Sequence, residues 1–464
     1  MAKSEVIFWT SGFLLGGIVL ASFEFPLWWG LLPIIILVGW FRYSREEIKV
    51  QHLILFLVAI FLGTFYFHAV LVIKENREIF PPEGQTFHAV VSGEAKRFEK
   101  VQRIPVRLSA PYRGEVTLVT TTLVDFEYGD ELSIQGTVEN EIWPLENTVT
   151  FPHLSKLPTK STWSFRGAAI QLKNQWLGNF KQLLSSDQAA LLGGLTFGAR
   201  GDFNDSFREA MQRSGTTHLV ALSGYNISIL IWTVGYLFQS MFSRRLLFAL
   251  TLIFISIFVL MVGAEASIVR AAIMGALILL ASEAGRLYSF RHAVLYAALI
   301  MSLFDPSLPR FDLGFQLSFF SLLGIALLGP IVVSREKKRS FLNWRESLSI
   351  TVSAQLGVLG ILALNFGSIS VVSIIANLLV LWAVPLLMAL GFLAAALGTI
   401  HFSLSLILQP FLQIILGYMI AIIHLSALFP MLSTVWAPWM TILYYGILGW
   451  FVYHYFPYED PEEK

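Results

Sequence analysis

The chain has 464 residues, of which 55% are apolar and only 14% are charged. Soluble globular proteins carry about 25% charged residues, so the composition excludes an ordinary soluble protein, and the high apolar content excludes a disordered one. The net charge is +1 and cysteine is absent, which rules out disulfides, thiolate zinc sites and cysteine nucleophiles. No Asp, Glu, Lys or Arg occurs between Ser347 and Tyr458, as expected of a bundle of membrane helices.

The first predicted elements are membrane helices, since a span needs roughly 20 apolar residues. Apolar runs predict three spans, at about 6–21, 26–41 and 52–73, which together form an N-terminal membrane region, residues 1–73. The Gly12-x-x-x-Gly16 spacing in the first span would let a neighbouring helix approach closely, although ordinary packing is the simpler interpretation.

A charged segment follows the third span. Residues 74–166 hold 24 of the chain's 63 charged residues, and their short apolar runs alternate with polar residues at a period of two, which is typical of strands. Gly114 and Gly129 mark turns between them. Four or five short strands fit a small barrel or sandwich, for instance a five-stranded OB-like barrel. We therefore expect residues 74–163 to form a soluble, all-β, OB-like domain outside the cytoplasm.

An amphipathic helix is predicted next, at residues 164–186. Its apolar residues recur at spacings of three and four, and Arg166, Lys173 and Lys181 are expected on the opposite side. This pattern favours a basic helix lying along the membrane surface, with packing against the β-domain as the alternative.

The remaining chain is a large apolar region. Apolar runs predict spans at about 217–239, 246–262, 264–282, 291–305, 312–333, 347–366, 369–397, 401–425 and 432–456. Pro385 and several glycines are expected to kink or break some of them. The run Ala189–Phe197 is too short to span and is expected to be re-entrant or interfacial. The predicted fold class is a polytopic α-helical membrane protein of about 10–12 spans with the small β-domain inserted.

The distribution of basic residues predicts the orientation, because cytoplasmic loops carry an excess of Lys and Arg. With the N-terminus in the cytoplasm, four basic groups fall on the cytoplasmic side and the β-domain falls outside. These groups are the loop 42–49, the pair Arg244 and Arg245, the pair Arg286 and Arg291, and the cluster 335–339. Residues 459–464 then form an acidic cytoplasmic tail.

Polar residues inside apolar spans are costly and therefore mark candidate functional positions. The densest group lies in one eleven-residue stretch, and its members are His218, Ser223, Tyr225, Asn226 and Ser228. So many polar side chains favour the wall of a pore or cavity. Hydrogen bonds between helices are the alternative interpretation.

Further candidates lie near the starts of later spans. Arg270 would face a substrate or phosphate, or else form an ion pair with Glu265. Asp312 could cap the helix that carries Gln316 one turn later, or pair with a nearby arginine. Asn377 lies in the charge-free region, where hydrogen bonding in the core is the favoured interpretation.

Five strings in this order resemble the successive motifs of the ComEC family, the inner-membrane channels of bacterial DNA uptake. The strings are GGLTFGARGDF, FREAMQRSGTTHLVALSGYNISIL, ASIVRAAIMGALILLASEAGR, FDLGFQLSFFSLLGIALLGP and ISVVSIIANLL. In the family's central motif, His218, Ser223 and Gly224 match, whereas Tyr225 and Asn226 replace the usual Leu and His. The preceding spans and β-domain also resemble that family's N-terminal module.

The resemblance implies a channel domain over residues 187–458 that passes one DNA strand into the cytoplasm during natural transformation. It implies a bacterial inner-membrane location, single-stranded DNA and the lipid bilayer as partners, and separate proteins for DNA reception, nuclease activity and ATP-driven pulling. Many members carry a metallo-β-lactamase-like nuclease domain, but no H-x-H-x-D-H string and no phosphate-binding G-x-x-x-x-G-K-[ST] loop occurs in these residues. We therefore expect no enzymatic activity, no metal site and no cofactor.

A basic cluster in the β-domain is the expected receiving site for DNA. Its members are Lys96, Arg97, Lys100, Arg103, Arg107 and Arg113, with Phe98 and Tyr112 available for base stacking. An ordinary solvated strand face is the alternative.

Three rival functions are left open by the residues. One is a transporter of another solute or polymer, and another is a purely structural membrane scaffold. The third is an intramembrane serine hydrolase that would pair Ser223 with His424, although nothing in the sequence places these two residues within hydrogen-bond reach.

Overall fold

The structure is a computed structural model that describes residues 3–24, 50–97, 101–121, 126–139, 147–157, 164–199, 203–220, 224–263, 265–283, 289–332, 344–370, 372–433 and 435–455. The chain forms two compact units. The first comprises Met1–Leu172 and Leu230–Leu313, and the second comprises Lys173–Ile229 and Gly314–Lys464.

Helices dominate the described residues. They are α1 (Lys3–Ser22), α2 (Val50–Arg77), α3 (Phe165–Leu183), α4 (Ser186–Phe197), α5 (Asp205–Ser214), α6 (Gly224–Phe238), α7 (Arg244–Val262), α8 (Ala266–Glu283), α9 (Phe290–Phe304), α10 (Leu308–Phe311), α11 (Leu313–Val332), α12 (Trp344–Phe366), α13 (Ser373–Val380), α14 (Ala383–Ile400), α15 (Phe402–Ser405), α16 (Gln409–Ala427) and α17 (Pro438–Tyr455). The strands are β1 (Thr86–Val91), β2 (Lys96–Arg97), β3 (Val101–Leu108), β4 (Glu115–Thr121), β5 (Glu131–Gln135), β6 (Thr148–Thr150), β7 (His153–Lys156), β8 (Ser368–Ser370) and β9 (Met431–Ser433).

Seven of the described helices are long and apolar enough to cross a membrane, and the chain is a membrane protein. They are α1, α2, α7, α11, α12, α14 and α16. Three shorter apolar helices lie within α6, α8 and α9. The predicted span at 26–41 lies outside the described residues.

Helices α1 and α2 run parallel and cross at two glycines. A Cβ atom on Gly17 would lie 2.1 Å from the Ile60 carbonyl oxygen, and one on Gly63 would lie 2.1 Å from that of Leu14. The Thr64 hydroxyl donates a hydrogen bond to the Gly17 carbonyl oxygen at 3.2 Å. Small residues allow such close approach in membranes. Gly12 and Gly16, which the sequence suggested for this role, do not form the close crossing. The space around Gly16 is open, and a Cβ on Gly12 would meet only a leucine side chain.

Ion pairs fix α9 along the same direction as α1. At the start of α9 Arg291 pairs with Glu5 at 3.1 Å, and beyond its end Arg310 on α10 pairs with Glu24, just after α1, at 2.9 Å. The first unit therefore holds α1 and α9 side by side with matching ends.

The β-domain is a mixed sheet in the order β6–β4–β3–β1–β5–β7, in which β4 and β6 are parallel and β2 pairs with β3. An isolated bridge joins Glu139, just after β5, to Thr148 at the start of β6. The sheet therefore curls back on itself. Alternate residues point inward to one core, as the period-two pattern predicts. That core comprises Phe87, Ala89, Val91, Ile104, Val106, Leu108, Val116, Leu118, Leu132, Ile134, Val138 and Val149.

The predicted strands and both predicted glycine turns are confirmed, because Gly114 and Gly129 adopt positive φ angles. Strands β6 and β7 were not predicted. Each has only three or four residues, too few to establish an alternating pattern.

The β-domain is joined to α2 by paired backbone hydrogen bonds. The Ile79 N–H donates to Arg113 at 2.7 Å, and the Arg113 N–H donates back to Ile79 at 2.9 Å. The neighbouring Glu78 accepts a hydrogen bond from the Asn147 amide at 3.5 Å, and partial burial raises the pKa of the Glu78 carboxyl. The chain therefore passes from helix to sheet through a bonded connection.

Helix α3 confirms the predicted helix, but one of its basic residues is not where the sequence predicted. Lys173 is buried, with only 3% of its surface exposed, because the turn that carries it packs inward. At the start of α3, the guanidinium of Arg166 lies over the Tyr128 ring at 5.2 Å. In its later half, Trp176 donates a hydrogen bond to Thr399 at 2.8 Å. A position along the membrane surface stays a prediction.

Helix α4 forms the centre of the second unit. Every residue from Ala189 to Phe197 is buried. Other parts of the protein therefore cover this run on every side, and both the re-entrant and the interfacial alternative stay predictions. Gly391 on α14 packs so closely that its Cβ would lie 2.9 Å from Leu192.

Helices α11, α12 and α17 pack together in the second unit. A Cβ on Gly357 would lie 2.4 Å from the Phe320 carbonyl oxygen, and one on Gly324 would lie 2.4 Å from that of Ser353. The hydroxyls of Tyr444 and Tyr445 on α17 donate to backbone carbonyls of α12 at 2.7 and 2.9 Å. These two tyrosine hydroxyls are thereby satisfied within the protein, as a lipid environment requires.

Three predicted spans are divided in the structure. The span predicted at 217–239 begins with a 3₁₀ turn, Thr217–Leu219, and α6 starts only at Gly224. The span predicted at 369–397 is divided at Leu381–Trp382, between α13 and α14. Pro385 lies in the first turn of α14, where proline is tolerated because it needs no backbone donor there. The span predicted at 401–425 starts at Gln409, since Pro410 occupies the first turn of α16.

Candidate functional site

The turn after α5 brings together residues from the second and the fifth of the sequence strings quoted above. Gly215 adopts φ +71°, and its Cβ would lie 2.5 Å from the Ser373 side chain. The Ser370 hydroxyl donates to the Arg213 carbonyl oxygen at 2.7 Å, and the Ser373 hydroxyl donates to the Ser370 carbonyl oxygen at 2.8 Å. Only glycine fits both the space and the left-handed conformation. We call Gly215, His218, Ser370, Ser373 and Asn377 the polar junction.

Two predicted site residues belong to the polar junction. His218 is exposed in the 3₁₀ turn, with Nδ1 3.1 Å from the Gly215 carbonyl oxygen. Asn377 is buried on α13, one helical turn after Ser373, and its Oδ1 has no hydrogen-bond partner among the described residues. Buried amides are normally hydrogen-bonded, so Asn377 is a polar group available to water or a ligand. The junction is uncharged and suited to hydrogen bonding.

Asn226 has a defined structural partner. Its amide Nδ2 donates to the Leu195 carbonyl oxygen at 3.0 Å, and the side chain is buried. Leu195 lies in the last turn of α4, where carbonyl groups lack partners within the helix. Asn226 therefore caps α4 from α6, which is the interhelical alternative rather than the pore wall.

The rest of this predicted group is only partly described. Ser228 is exposed, and its hydroxyl donates within α6 to the Gly224 carbonyl oxygen at 3.1 Å. Ser223 and the side chain of Tyr225 lie outside the described residues. The His424 ring, invoked for a serine hydrolase, lies next to Phe207 in a tilted arrangement with ring centres 5.7 Å apart. The pairing of Ser223 with His424 therefore stays a prediction.

Arg270, Asp312 and Gln316 belong to two different parts of the chain. Arg270 is buried on α8, 8% exposed, in the first unit. Its helix starts where the Glu265 carbonyl oxygen accepts the N–H groups of Ile268 and Val269. Asp312 directly precedes α11, as a cap would, and Gln316 lies in the first turn of that helix. Their joint lining of a pore stays a prediction.

The predicted basic cluster of the β-domain has two members on one strand face. Arg103 and Arg107 lie on the outer face of β3 at alternating exposed positions. Arg107 pairs with Glu115 on β4 at 2.9 Å, and both side chains are about two-thirds exposed, 69% and 68%. We call the outer surface of β3 and β4 the arginine face. Because its ion pair is exposed, a phosphate can compete for Arg107.

The other cluster members contribute less clearly. Lys96 and Arg97 form β2, where Lys96 is opposite Arg103 in the strand register. Arg113 is exposed in the turn between β3 and β4. Lys100 and Phe98 lie outside the described residues. Tyr112 is partly buried against the core of the sheet and its hydroxyl donates to Gln85 at 2.9 Å, and base stacking on its ring stays a prediction.

Sequence reasoning missed the serines of the polar junction and a capping pair at α5. Asn204 caps α5 by accepting the Phe207 N–H at 2.7 Å, and its amide donates to Asp187 on α4 at 2.6 Å. The sequence Asn204-Asp205-Ser206 is a recognisable helix start. Ser370 and Ser373 carry no such local pattern.

Comparison with known proteins decides the family. A family model described as "Competence protein" matches residues 195–457, more than half of the chain. The chain belongs to the ComEC family of competence proteins. It is also 29% identical over 221 residues to "ComE operon protein 3" of Bacillus subtilis (strain 168). No solved structure matches the chain.

The region that matches the ComEC family contains some of the candidate sites but not the β-domain. The matched region begins at Leu195 and contains the polar junction, Asn226 and Arg270, whereas the β-domain precedes it. The aligned part covers 47% of this chain and 27% of the Bacillus protein, so the chain spans little more than a quarter of the length of the curated relative that it matches. The role of the arginine face therefore depends on its own geometry.

Proposed function

We propose that this ComEC-family protein is an inner-membrane channel that passes single-stranded DNA into the cytoplasm during natural transformation. The observation that carries the proposal is the family match over residues 195–457. The family is consistent with DNA uptake, and seven described helices are able to span a membrane.

The geometry of the second unit supports a conduit. A polyanion crossing a low-dielectric layer needs hydrogen-bonding walls and broken or non-helical backbone that lines a wet path. The second unit supplies both, because β8 and the 3₁₀ turn Thr217–Leu219 are not α-helical and the polar junction joins them. Arg270, on α8 of the first unit, is the proposed phosphate contact, and Asp312 and Gln316 are further proposed polar contacts.

The orientation we propose has both termini in the cytoplasm and the β-domain outside. The ion pair of Glu5 with Arg291 supports it, since both residues belong to ends predicted to be cytoplasmic. The pair of Arg245 with Glu283 at 3.7 Å joins two further predicted cytoplasmic ends. Arg310 and Glu24 meet at the opposite end, which is the side proposed for the β-domain.

We further propose that the β-domain is OB-like and receives the incoming strand. In an OB-fold five strands form a partly open barrel that binds oligonucleotides on the face of its second and third strands. If β1, β3, β4, β5 and β6 are its five strands, the second and third are β3 and β4, which carry the arginine face. The parallel pairing of β4 with β6 and the bridge of Glu139 with Thr148 support this order.

The proposed conduit is not an enzyme and works with other proteins. A DNA receptor would deliver DNA, a separate nuclease would remove the second strand and a cytoplasmic motor ATPase would pull the imported one. The chain's 464 residues contain neither a phosphate-binding loop nor a nuclease H-x-H-x-D-H string, which is why these activities are assigned to partners.

The test is deletion of the gene followed by complementation. Labelled DNA that is surface-bound is separated from DNA protected against added nuclease, and transformants are counted. We expect deletion to abolish protected DNA while leaving bound DNA, wild-type protein to restore entry, and Arg270→Ala to fail although it inserts normally. Arg208→Ala, which removes an arginine that pairs with Asp205 on the surface of α5, is the matched control. Undiminished entry in the deletion strain would contradict the channel.

A further inference from the structure

Phe151, which follows β6, is an exposed aromatic ring where strand alternation predicts a buried one. Val149 is fully buried and Thr150 is exposed, so the next side chain would return to the core if the strand continued regularly. Instead Phe151 adopts φ +47°, and 60% of its surface is exposed. The left-handed backbone therefore turns an apolar ring away from the core.

This conformation is costly for a bulky residue. A positive φ at a bulky residue is rare because this backbone conformation is energetically unfavourable. Proteins retain such conformations mainly at ligand-binding and active sites. Pro152 follows directly, and a residue before proline favours extended conformations. A turn alone would be served better by glycine, so the ring needs an explanation beyond the turn.

The position of Phe151 supplies one. Its N–H donates to the Val119 carbonyl oxygen on β4 at 2.7 Å. In the strand register Val119 is directly opposite Arg103 on β3. Phe151 therefore borders the arginine face, beside the strand pair that carries Arg103 and Arg107. Aromatic rings next to cationic side chains are the usual composition of surfaces that bind single-stranded nucleic acids.

We propose that Phe151 is a base-stacking platform, on which a base of single-stranded DNA stacks while Arg103 and Arg107 contact neighbouring phosphates. Single strands are the ligand because the bases of a duplex are already stacked on one another. The inference rests on the proposed function, since it places one contact within the proposed receiving face.

The test compares two oligonucleotides with the same phosphates. The full chain in detergent is titrated with fluorescent twelve-residue oligo-dT and with an abasic oligomer of equal length. Any arginine contribution is common to both, so the ratio of affinities isolates stacking. We expect wild type to prefer oligo-dT about 10-fold or more. Phe151→Ala and Phe151→Leu should abolish that preference, and Phe151→Trp should retain it with indole fluorescence quenched on binding.

Phe165→Ala is the matched control, because that ring is also half exposed, 50%, and lies outside the sheet. It should keep the wild-type preference. An unchanged preference in both Phe151→Ala and Phe151→Leu overturns the stacking platform while leaving DNA reception intact. Absence of binding to either oligomer by wild type overturns both the platform and the reception of DNA by the β-domain.

Discussion

The β-domain and the charge-free part of the second unit accommodate their polar groups in opposite ways. In the β-domain, charged groups such as Arg107 and Glu115 lie on the outer strand face in water, while the alternate residues form an apolar core. Between Ser347 and Tyr458 no residue is charged, and hydroxyls such as that of Tyr444 donate to backbone carbonyls. Substitutions should therefore alter binding in the β-domain and folding in the second unit.

The largest effect should come from the crossing of α11 and α12. Replacing Gly357 with Leu inserts a side chain where even a Cβ lies 2.4 Å from a carbonyl oxygen, so we expect a loss of about 3 kcal/mol of stability. Gly446→Leu on α17 is the control, since no atom lies within 4 Å of its Cβ. Size-exclusion chromatography after graded heating should show early aggregation of Gly357→Leu only. Equal behaviour of the two would refute the close crossing.

A smaller effect should follow loss of the cap on α4. Asn226→Ala leaves the Leu195 carbonyl oxygen without its partner, which costs roughly 1–3 kcal/mol for a buried group. Ser228→Ala removes only a bond within one helix turn and should change little. Thermal unfolding of the purified protein measures both. A pore-wall role for Asn226 would instead predict lost DNA entry with an unchanged melting temperature.

The arginine face should show the reverse behaviour, with binding altered and folding intact. Arg103→Ala and Arg107→Ala should each reduce the slope of log affinity for single-stranded DNA against log salt concentration by about 0.7. Arg213→Ala, on α5 in the second unit, removes an exposed charge elsewhere and is the control. Fluorescence titrations between low and physiological salt provide the slopes. A similar change for Arg213→Ala would mean diffuse attraction rather than a face.

The smallest expected effect concerns Phe151, where stability and binding within the β-domain should change in opposite directions. Phe151→Gly relieves the unfavourable backbone conformation, so we expect the melting temperature to rise, corresponding to about 1 kcal/mol. DNA binding should weaken at the same time. Thermal unfolding and titration of the same preparation test this opposite movement. A fall in stability would show that the Phe151 ring stabilises the domain by packing.

The sequence predicted most elements because their patterns are long. Strands β1, β3, β4 and β5 alternate regularly, and most apolar runs became single helices. The break at Leu381–Trp382 was not located because uninterrupted apolar residues surround it, and the helix restarts before Pro385 rather than at it. Lys173 was assigned to a solvated face from the spacing of the apolar residues around it, whereas the structure buries it together with Ala169 and Ile170 on the same helix face.

The candidate site was less predictable than the fold. Asn226 and Ser228 are equivalent polar residues in the sequence, yet one bonds to another helix and the other to its own turn. Ser370 reaches Arg213 across 157 positions of sequence, a distance that no local pattern encodes. Phe151 was missed because β6 is too short to show an alternation, and only the backbone angle of Phe151 reveals its outward ring.

The paired hydrogen bonds between Ile79 and Arg113 have a mechanical consequence. These hydrogen bonds connect the end of α2 to the β3–β4 turn. The helix and the arginine face are therefore expected to move together as one rigid body. A pull on a strand held by that face would be transmitted along α2 to its crossing with α1, where Gly17 and Gly63 leave little room for sliding. The β-domain is thus held in a fixed orientation relative to α2 rather than attached through a flexible linker.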